Sequence, residues 1–337
     1  MPLPGNPIDA KNSLFASGNV PKATPGPEAA PSGETPRQES RTEKGKPVMF
    51  VSRKPLYTFE QVILPDDVRA QFDVLKSRIK NHKLLYEEWG LDKIDPQGRH
   101  VAFNLYGVPG TGKTMCVEAT AAELRKEIIE ISYAEIESKY VGETGKNIAA
   151  AFKTASETGA LLFFDEADSI LGRRMTSVTQ AADHGVNVAR AVMLKQLDNF
   201  DGIVAFATNL AKNFDNAFVR RISQHIEIPL PNDAGRAAIW KKMVSPKIPG
   251  HDRLDWERLV LASKGFSGGD IKNAIVNSLA RLANYAGNQR LASTDIFITE
   301  IQHVANAKKN VGADRDIKIT ETIVPNFSEP AQLDKQK

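Results

Sequence analysis

Two rhythms of hydrophobic residues run along this chain. Short, mostly apolar stretches recur at 101–106, 128–131, 160–164, 203–207 and 225–228. Between them lie segments whose apolar residues return every three or four positions, such as 146–158 with Ile148 and Phe152, then 189–197 and 217–222. The first kind predicts strands buried on both faces, and the second predicts helices that cover them. The alternation as a whole predicts an α/β fold, a doubly wound parallel five-stranded sheet.

Ahead of the first strand, 59–65 is a compact lead-in. Asp66 or Asp67 is expected to cap a helix that carries Val68, Phe72, Leu75 and Ile79 on one face and continues towards Leu85 and Trp89. Asp95-Pro96-Gln97-Gly98 is turn chemistry. The strand pattern stops at Pro229-Leu230-Pro231. Segments 234–244, 254–262, 270–286 and 294–307 each predict a helix, with Ile271, Ile275, Leu279 and Leu282 as one buried stripe. The expected organisation is a Pro-rich tail at 1–47, an α/β domain at 48–231, a small helical lid domain at 232–310 and a C-terminal tail at 311–337.

Composition changes the picture chiefly at the ends. Residues 1–47 hold nine of the 19 prolines and a single aromatic, Phe15. Such a stretch buries too little apolar surface to offset its ordering entropy, so a disordered tether is expected, with Ser13-Leu14-Phe15 as its one apolar anchor. The chain is expected to fray beyond Pro325. A hydrophobic content of 41% suits a globular core, and a formal charge of +3 argues for neither a nucleic-acid nor a membrane partner. The single cysteine, Cys116, leaves no disulfide framework and no Cys-rich metal site. No apolar run approaches the ~18 residues of a membrane span, and the N-terminus lacks a basic-then-apolar signal pattern. A soluble, cytoplasmic protein is the expectation.

The chemistry begins where the first strand ends. Gly107-Val108-Pro109-Gly110-Thr111-Gly112-Lys113-Thr114 reads G-x-x-x-x-G-K-T, and a helix is expected to leave it from Met115 to Lys126. Glycines let the backbone wrap an anion in dihedrals that a Cβ forbids. Free N–H groups at the start of the helix then point at phosphates. Pro109, Gly110, Thr111, Gly112, Lys113, Thr114 and Met115 are the candidate nucleotide contacts. Lys113 is expected to neutralise the β- and γ-phosphates and the Thr114 hydroxyl to ligate Mg²⁺.

Two acids follow the third apolar stretch, in Phe163-Phe164-Asp165-Glu166. The carboxyl edge of a parallel sheet is where ligands bind. Asp165 there would hold Mg²⁺ through water, and Glu166 would polarise an attacking water. Asn209 follows the next strand, where a neutral amide can orient that water or sense the γ-phosphate.

Leu105 through Thr114, Phe163 through Asp168, Leu197-Asp198-Asn199-Phe200-Asp201-Gly202, Ala207-Thr208-Asn209 and Gly265 through Ile271 occur in an order that resembles the AAA+ ATPases. Within them the likeness is to the AAA clade proper, the single-ring, protein-remodelling type, and it covers residues 55–305. The resemblance implies ATP and Mg²⁺ as cofactors and assembly of identical subunits into a hexamer. It implies that Asn209 is the first sensor and that 214–221 is the arginine-finger segment. Members commonly separate two arginines there by Pro-Gly; here Arg220 and Arg221 are adjacent, with Arg220 favoured and Arg221 second. Gly268-Gly269 resembles the small-domain turn beside the adenine, and Val62 and Ile63 stand where residues cover its other side. Asn199 occupies a position where the family usually has Gly. Lys139-Tyr140-Val141 is similar to the pore loop that grips an extended polypeptide, and Asp183-His184-Gly185 falls where a second pore loop is expected.

Three functions compete on this reading. The first is an ATP-driven ring that unfolds, threads or disassembles a protein. The second is a DNA-acting loader or helicase, which Tyr140 and the small charge disfavour. The third is a nucleotide-dependent assembly factor. The short form 217–221 is also similar to stand-alone bacterial members, including those accompanying contractile injection systems.

Overall fold

The computed structural model describes residues 49–95, 100–132, 136, 143–172, 181–209 and 214–311. The chain divides into two units, Met1–Lys46 and Pro47–Lys337, and every described residue belongs to the second.

Five strands form one sheet: β1 (Val101–Tyr106), β2 (Ile128–Ser132), β3 (Leu161–Asp165), β4 (Ile203–Thr208) and β5 (Gln224–Glu227). Their order is β2-β3-β4-β1-β5, and every pairing is parallel. Parallel neighbours need crossovers, and the helices that make them lie on both faces. Along β1, Val101, Phe103 and Leu105 point into one apolar cluster, and Ala102 into another on the opposite face. That is why the inner strands read as apolar runs without alternation. Each fully buried Phe, such as Phe103, Phe163 or Phe206, contributes about 1.5–3 kcal/mol of burial. At the β2 edge the lead-in chain closes the sheet. Arg53 makes an antiparallel bridge to Ile128, and its guanidinium pairs with Glu118 at 2.7 Å and with Glu130.

Helix α1 (Asp66–Lys80) buries Val68, Phe72 and Leu75 against the sheet. Its N-cap is Pro65 and has no side-chain cap, so Asp66 and Asp67 sit inside the first turn. There they stabilise the helix through its dipole rather than by capping. The helix does not run on regularly: Leu84–Glu88 is a single π turn, with Tyr86 stacked on His82, and Trp89 is exposed.

Among the described residues, this part also holds the helices α2 (Lys113–Glu123), α3 (Glu143–Thr158), α4 (Asp168–Leu171), α5 (Ala181–Asn199) and α6 (Asn216–Val219). Helix α2 starts two residues before Met115, because Gly112 ends the preceding loop at φ 98°. Helix α5 starts eight residues before the predicted 189, so Asp183, His184 and Gly185 lie in its opening turns and not in a loop. Its early residues lack the apolar spacing by which a helix is recognised in sequence.

After β5, four helices pack around a separate apolar cluster centred on Trp240, Ile271 and Phe297: α7 (Asp233–Met243), α8 (Trp256–Ala262), α9 (Gly268–Ala283) and α10 (Thr294–Val311). Asn232 and Asp255 cap α7 and α8 through their side chains. Ser267 and Asp270 form a reciprocal capping box that starts α9 at Gly268, two residues earlier than its apolar stripe indicates.

Candidate active site

β1 delivers the chain into the glycine-rich loop. Gly107, at φ 149°, passes so close to β5 that a Cβ would lie 2.3 Å from the Ile228 carbonyl oxygen. Gly110, at φ 79°, packs on the start of α9: its carbonyl accepts the Gly269 N–H at 2.9 Å, and a Cβ would meet Ser267 Oγ at 2.7 Å. The loop is therefore shaped by neighbours from two distant segments as well as by its own dihedrals.

Lys113 is buried, and its ammonium donates to Gly107 O at 2.8 Å, Val108 O at 3.1 Å and Asn209 Oδ1 at 2.8 Å. Burial lowers its pKa, and the nearby Asp165 and Asp168 carboxylates oppose that shift. The Thr114 hydroxyl donates to Asp165 Oδ2 at 2.9 Å. The other oxygen of Asp165 accepts the Glu166 N–H at 2.8 Å. Glu166 is exposed and sits at φ 50°, an uncommon conformation for a residue with a side chain. It turns the chain out of β3, and the Ala167 N–H then donates to Ala207 O at 2.9 Å. That bond joins the exits of β3 and β4, which brings Asp165, Glu166 and Asn209 to one place.

Asp168 belongs to the site and was not singled out in the sequence. Its carboxylate accepts the Asn209 N–H at 3.1 and 3.3 Å. It fixes the backbone from which the Asn209 amide reaches Lys113. The available signal was an acid opening a helical turn three residues after Asp165.

A cleft of about 340 Å³ lies beside the loop, lined by Ile63, Thr111, Ile228, Asn232, Ile239 and Gly268 among others. Of the two residues expected to cover a base, Ile63 lines it and Val62 is packed into the sheet core. Gly268 faces the cleft and Gly269 touches Gly110. Pro109 is exposed in the loop, and Met115 packs partly against the α1–α2 side of the core.

The two arginines lie elsewhere. The chain after α6 meets β1 near its beginning: Ser223 N–H and Oγ both bond to Ala102 O, and His100 Nε2 lies 3.3 Å from the Arg221 carbonyl oxygen. This is the edge of the sheet opposite the phosphate loop. The two arginines also differ from each other. Arg221 clasps Asp198 with Nε–Oδ1 at 2.6 Å and Nη2–Oδ2 at 2.9 Å, and its Nη1 donates to Ala217 O at 3.1 Å. Arg220 is exposed, and its guanidinium has no bonding partner among the described residues. Phe200, in the same segment as Asp198, is buried edge-to-face on Phe152, and Asn199 turns back to Lys195 O. Lys139, Tyr140 and Val141 lie outside the described residues.

A five-stranded parallel sheet with a glycine-rich loop at β1 and a lysine, a threonine and two acids converging there defines a P-loop nucleoside triphosphatase fold. Residues 103–230 match the model of the AAA family, described as the ATPase family associated with various cellular activities. Residues 103–230 thus form an AAA-family domain. It is similar to the 26S proteasome subunit RPT4 of Saccharomyces cerevisiae, 32% identical over 256 residues, covering 74% of this chain and 56% of that one. It is also similar to a probable 26S proteasome regulatory subunit 10B of Caenorhabditis elegans, 34% identical over 212 residues, covering 61% and 51%. A proteasome-activating nucleotidase of Saccharolobus solfataricus is 30% identical over 270 residues, covering 78% and 66%. The chain spans little more than half the length of the first two relatives. Among the described residues no helix is long and apolar enough to cross a membrane.

Proposed function

We propose that this chain is a Mg²⁺-dependent ATP phosphohydrolase that works as a ring of identical subunits, a hexamer, and threads a protein through the ring's pore. One observation carries the reading. The arginine turn sits at the start of β1 and the phosphate loop at its end, with six residues between them, or about 20 Å of strand. Arg220 cannot span that distance to its own subunit's phosphates. An exposed arginine at that edge serves catalysis only if a second copy presents its phosphate loop to it.

The residues at β1 fit ATP with Mg²⁺. Thr114 Oγ1 and Asp165 Oδ2 are two hard oxygen donors 2.9 Å apart, suited to a small cation that keeps part of its water shell. Lys113, held in a desolvated position, supplies the cation that faces the phosphates, and the loop's N–H groups add to it. The bound nucleotide supplies the phosphoryl group that is transferred to water. Glu166 receives the proton of the attacking water, Asn209 orients that water, and Arg220 of the adjoining copy stabilises the charge that develops. Ile63, Gly268 and Gly269 flank the base. The likeness to proteins named for the 26S proteasome and for proteasome activation supports a polypeptide as substrate. Lys139-Tyr140-Val141 is the segment proposed to grip it.

Complementation tests the reading. Lys113→Ala and Arg220→Ala subunits, each inactive alone, are mixed. In a ring with fingers in trans, the Arg220→Ala site next to a Lys113→Ala neighbour has every residue it needs, so turnover returns on mixing. Light scattering with ATP and Mg²⁺ on the Glu166→Gln protein reads the assembly directly. No recovery on mixing, together with a monomer at all concentrations, overturns the proposal.

A further inference from the structure

The four-residue helix α6 is too short to hold itself, since helix formation repays its nucleation cost only over several turns. Its last carbonyls and those of the turn beyond lack intrahelical partners and must find others. The structure supplies them from side chains of three separate segments. Arg221 Nη1 donates to Ala217 O at 3.1 Å while its other nitrogens hold Asp198. The His225 ring, on β5, faces the Val219 backbone and packs against the Phe214 ring at 6.0 Å between centroids. His100, buried just ahead of β1, reaches Arg221 O at 3.3 Å. Carbonyls only accept, so each imidazole must donate. His100 does so from Nε2. His225 Nε2 is buried without a partner among the described residues, which leaves Nδ1 to donate towards Val219.

From this frame we infer that His100 and His225 are positioning residues for Arg220: they fix the backbone on either side of it, at Arg221 and Val219, so that its guanidinium leaves the subunit in one direction. Arg220 lies between the two anchored carbonyls and is the member of the turn whose side chain is not used in holding the turn together. Among the described residues, Nδ1 of His100 and Nε2 of His225 are buried without a hydrogen-bond partner, so each ring donates from one nitrogen only, Nε2 in His100 and Nδ1 in His225.

The inference rests on Arg220 acting in trans, and its test is read separately from that reading. His100→Ala and His225→Ala are each assayed for nucleotide affinity, thermal midpoint and kcat. A displaced finger leaves affinity within about twofold and lowers kcat, with about 1 Å of misplacement costing of order 10²-fold. The donor nitrogens dictate the rescue. Gln places its amide N–H where Nε2 stood and Asn where Nδ1 stood, so His100→Gln and His225→Asn recover turnover, and His100→Asn and His225→Gln do not. In mixed rings, a His225→Ala subunit slows the site of the neighbour it faces and not its own. Loss of turnover in Arg220→Ala with normal kcat in both His→Ala variants overturns this inference alone. Unimpaired turnover in Arg220→Ala overturns the trans-arginine reading beneath it. If the alanine variants fail to fold, the amide variants decide, and equal activity of Asn and Gln at both positions also overturns the inference.

Discussion

Arg221 and Asp198 are joined by two parallel hydrogen bonds, at 2.6 and 2.9 Å, across 23 residues of sequence. The carboxylate raises the guanidinium's pKa further above its usual value, so Arg221 keeps its charge at any ordinary pH. The bond ties the end of α5 to the turn after α6 and separates two neighbouring arginines into a structural one and an available one.

Substitution of the two arginines should therefore split stability from catalysis. Arg221→Ala breaks a bidentate, partly buried contact and is expected to cost about 1.5–3 kcal/mol in urea unfolding. Arg220→Ala, at an exposed position, should stay within about 0.5 kcal/mol of the parent. It should nevertheless lose on the order of 10³-fold or more in kcat. Equal losses of stability in the two variants would contradict the division.

At the phosphate loop, Lys113 and Glu166 should fail in different ways. Lys113→Ala removes the buried cation, and a fluorescent ATP analogue should no longer bind. Glu166→Gln leaves the loop and the Thr114–Asp165 contact untouched, so the analogue binds and hydrolysis stalls. Weak binding by both variants would remove Glu166 from its proposed role.

The loop glycines should also be unequal. Gly112, at φ 98°, has nothing within 4 Å of where a Cβ would lie, so Gly112→Ala meets only backbone strain, about 1–2 kcal/mol. Gly110→Ala carries the same strain at φ 79° and adds a 2.7 Å contact with Ser267 Oγ at the start of α9. Differential scanning calorimetry should show the larger drop in midpoint for Gly110→Ala. A larger drop for Gly112→Ala would mean that α9 does not hold the loop.

Acid should erase one contribution from the helical part. Burial acts to raise the pKa of Asp270, but Lys308 and the Ser267 capping bonds outweigh it, and the folded value lies below 3.8. A carboxylate with a depressed folded pKa stabilises the fold above its unfolded pKa, and that stability is lost as pH falls through the folded value. The gap in urea midpoint between the parent and Asp270→Asn should thus be full near neutrality and shrink below about pH 4. A gap that stays constant to pH 3 would mean that the charge of Asp270 contributes nothing.

Tyr140 supplies the prediction for substrate. Tyr140→Ala should hydrolyse ATP at the basal rate and fail to unfold a tagged protein, read by loss of that protein's fluorescence. Loss of basal turnover would assign Tyr140 to the site or the fold instead.

The sequence by itself determined every strand of the sheet to within a residue or so, the helices with a regular apolar stripe, and the glycine-rich loop beside which Lys113, Thr114, Asp165, Glu166 and Asn209 gather. These are legible because a strand buried on both faces and a loop that wraps an anion each demand particular residues within a few positions of one another. Helix starts were less legible at α5 and α9, where residues outside the apolar stripe or a capping box set the boundary. Only the tertiary structure decided that β1 lies between β4 and β5, which places the arginine turn beside the start of β1. It also decided that Arg221 finds Asp198, that Asp168 holds Asn209, that Val62 turns into the core, and that α9 rests on Gly110. Each of these is a choice among chemically equivalent partners made by distance in space. Hydrophobic period and local motif record which face of an element is buried, and carry no information about which remote side chain lies beside it.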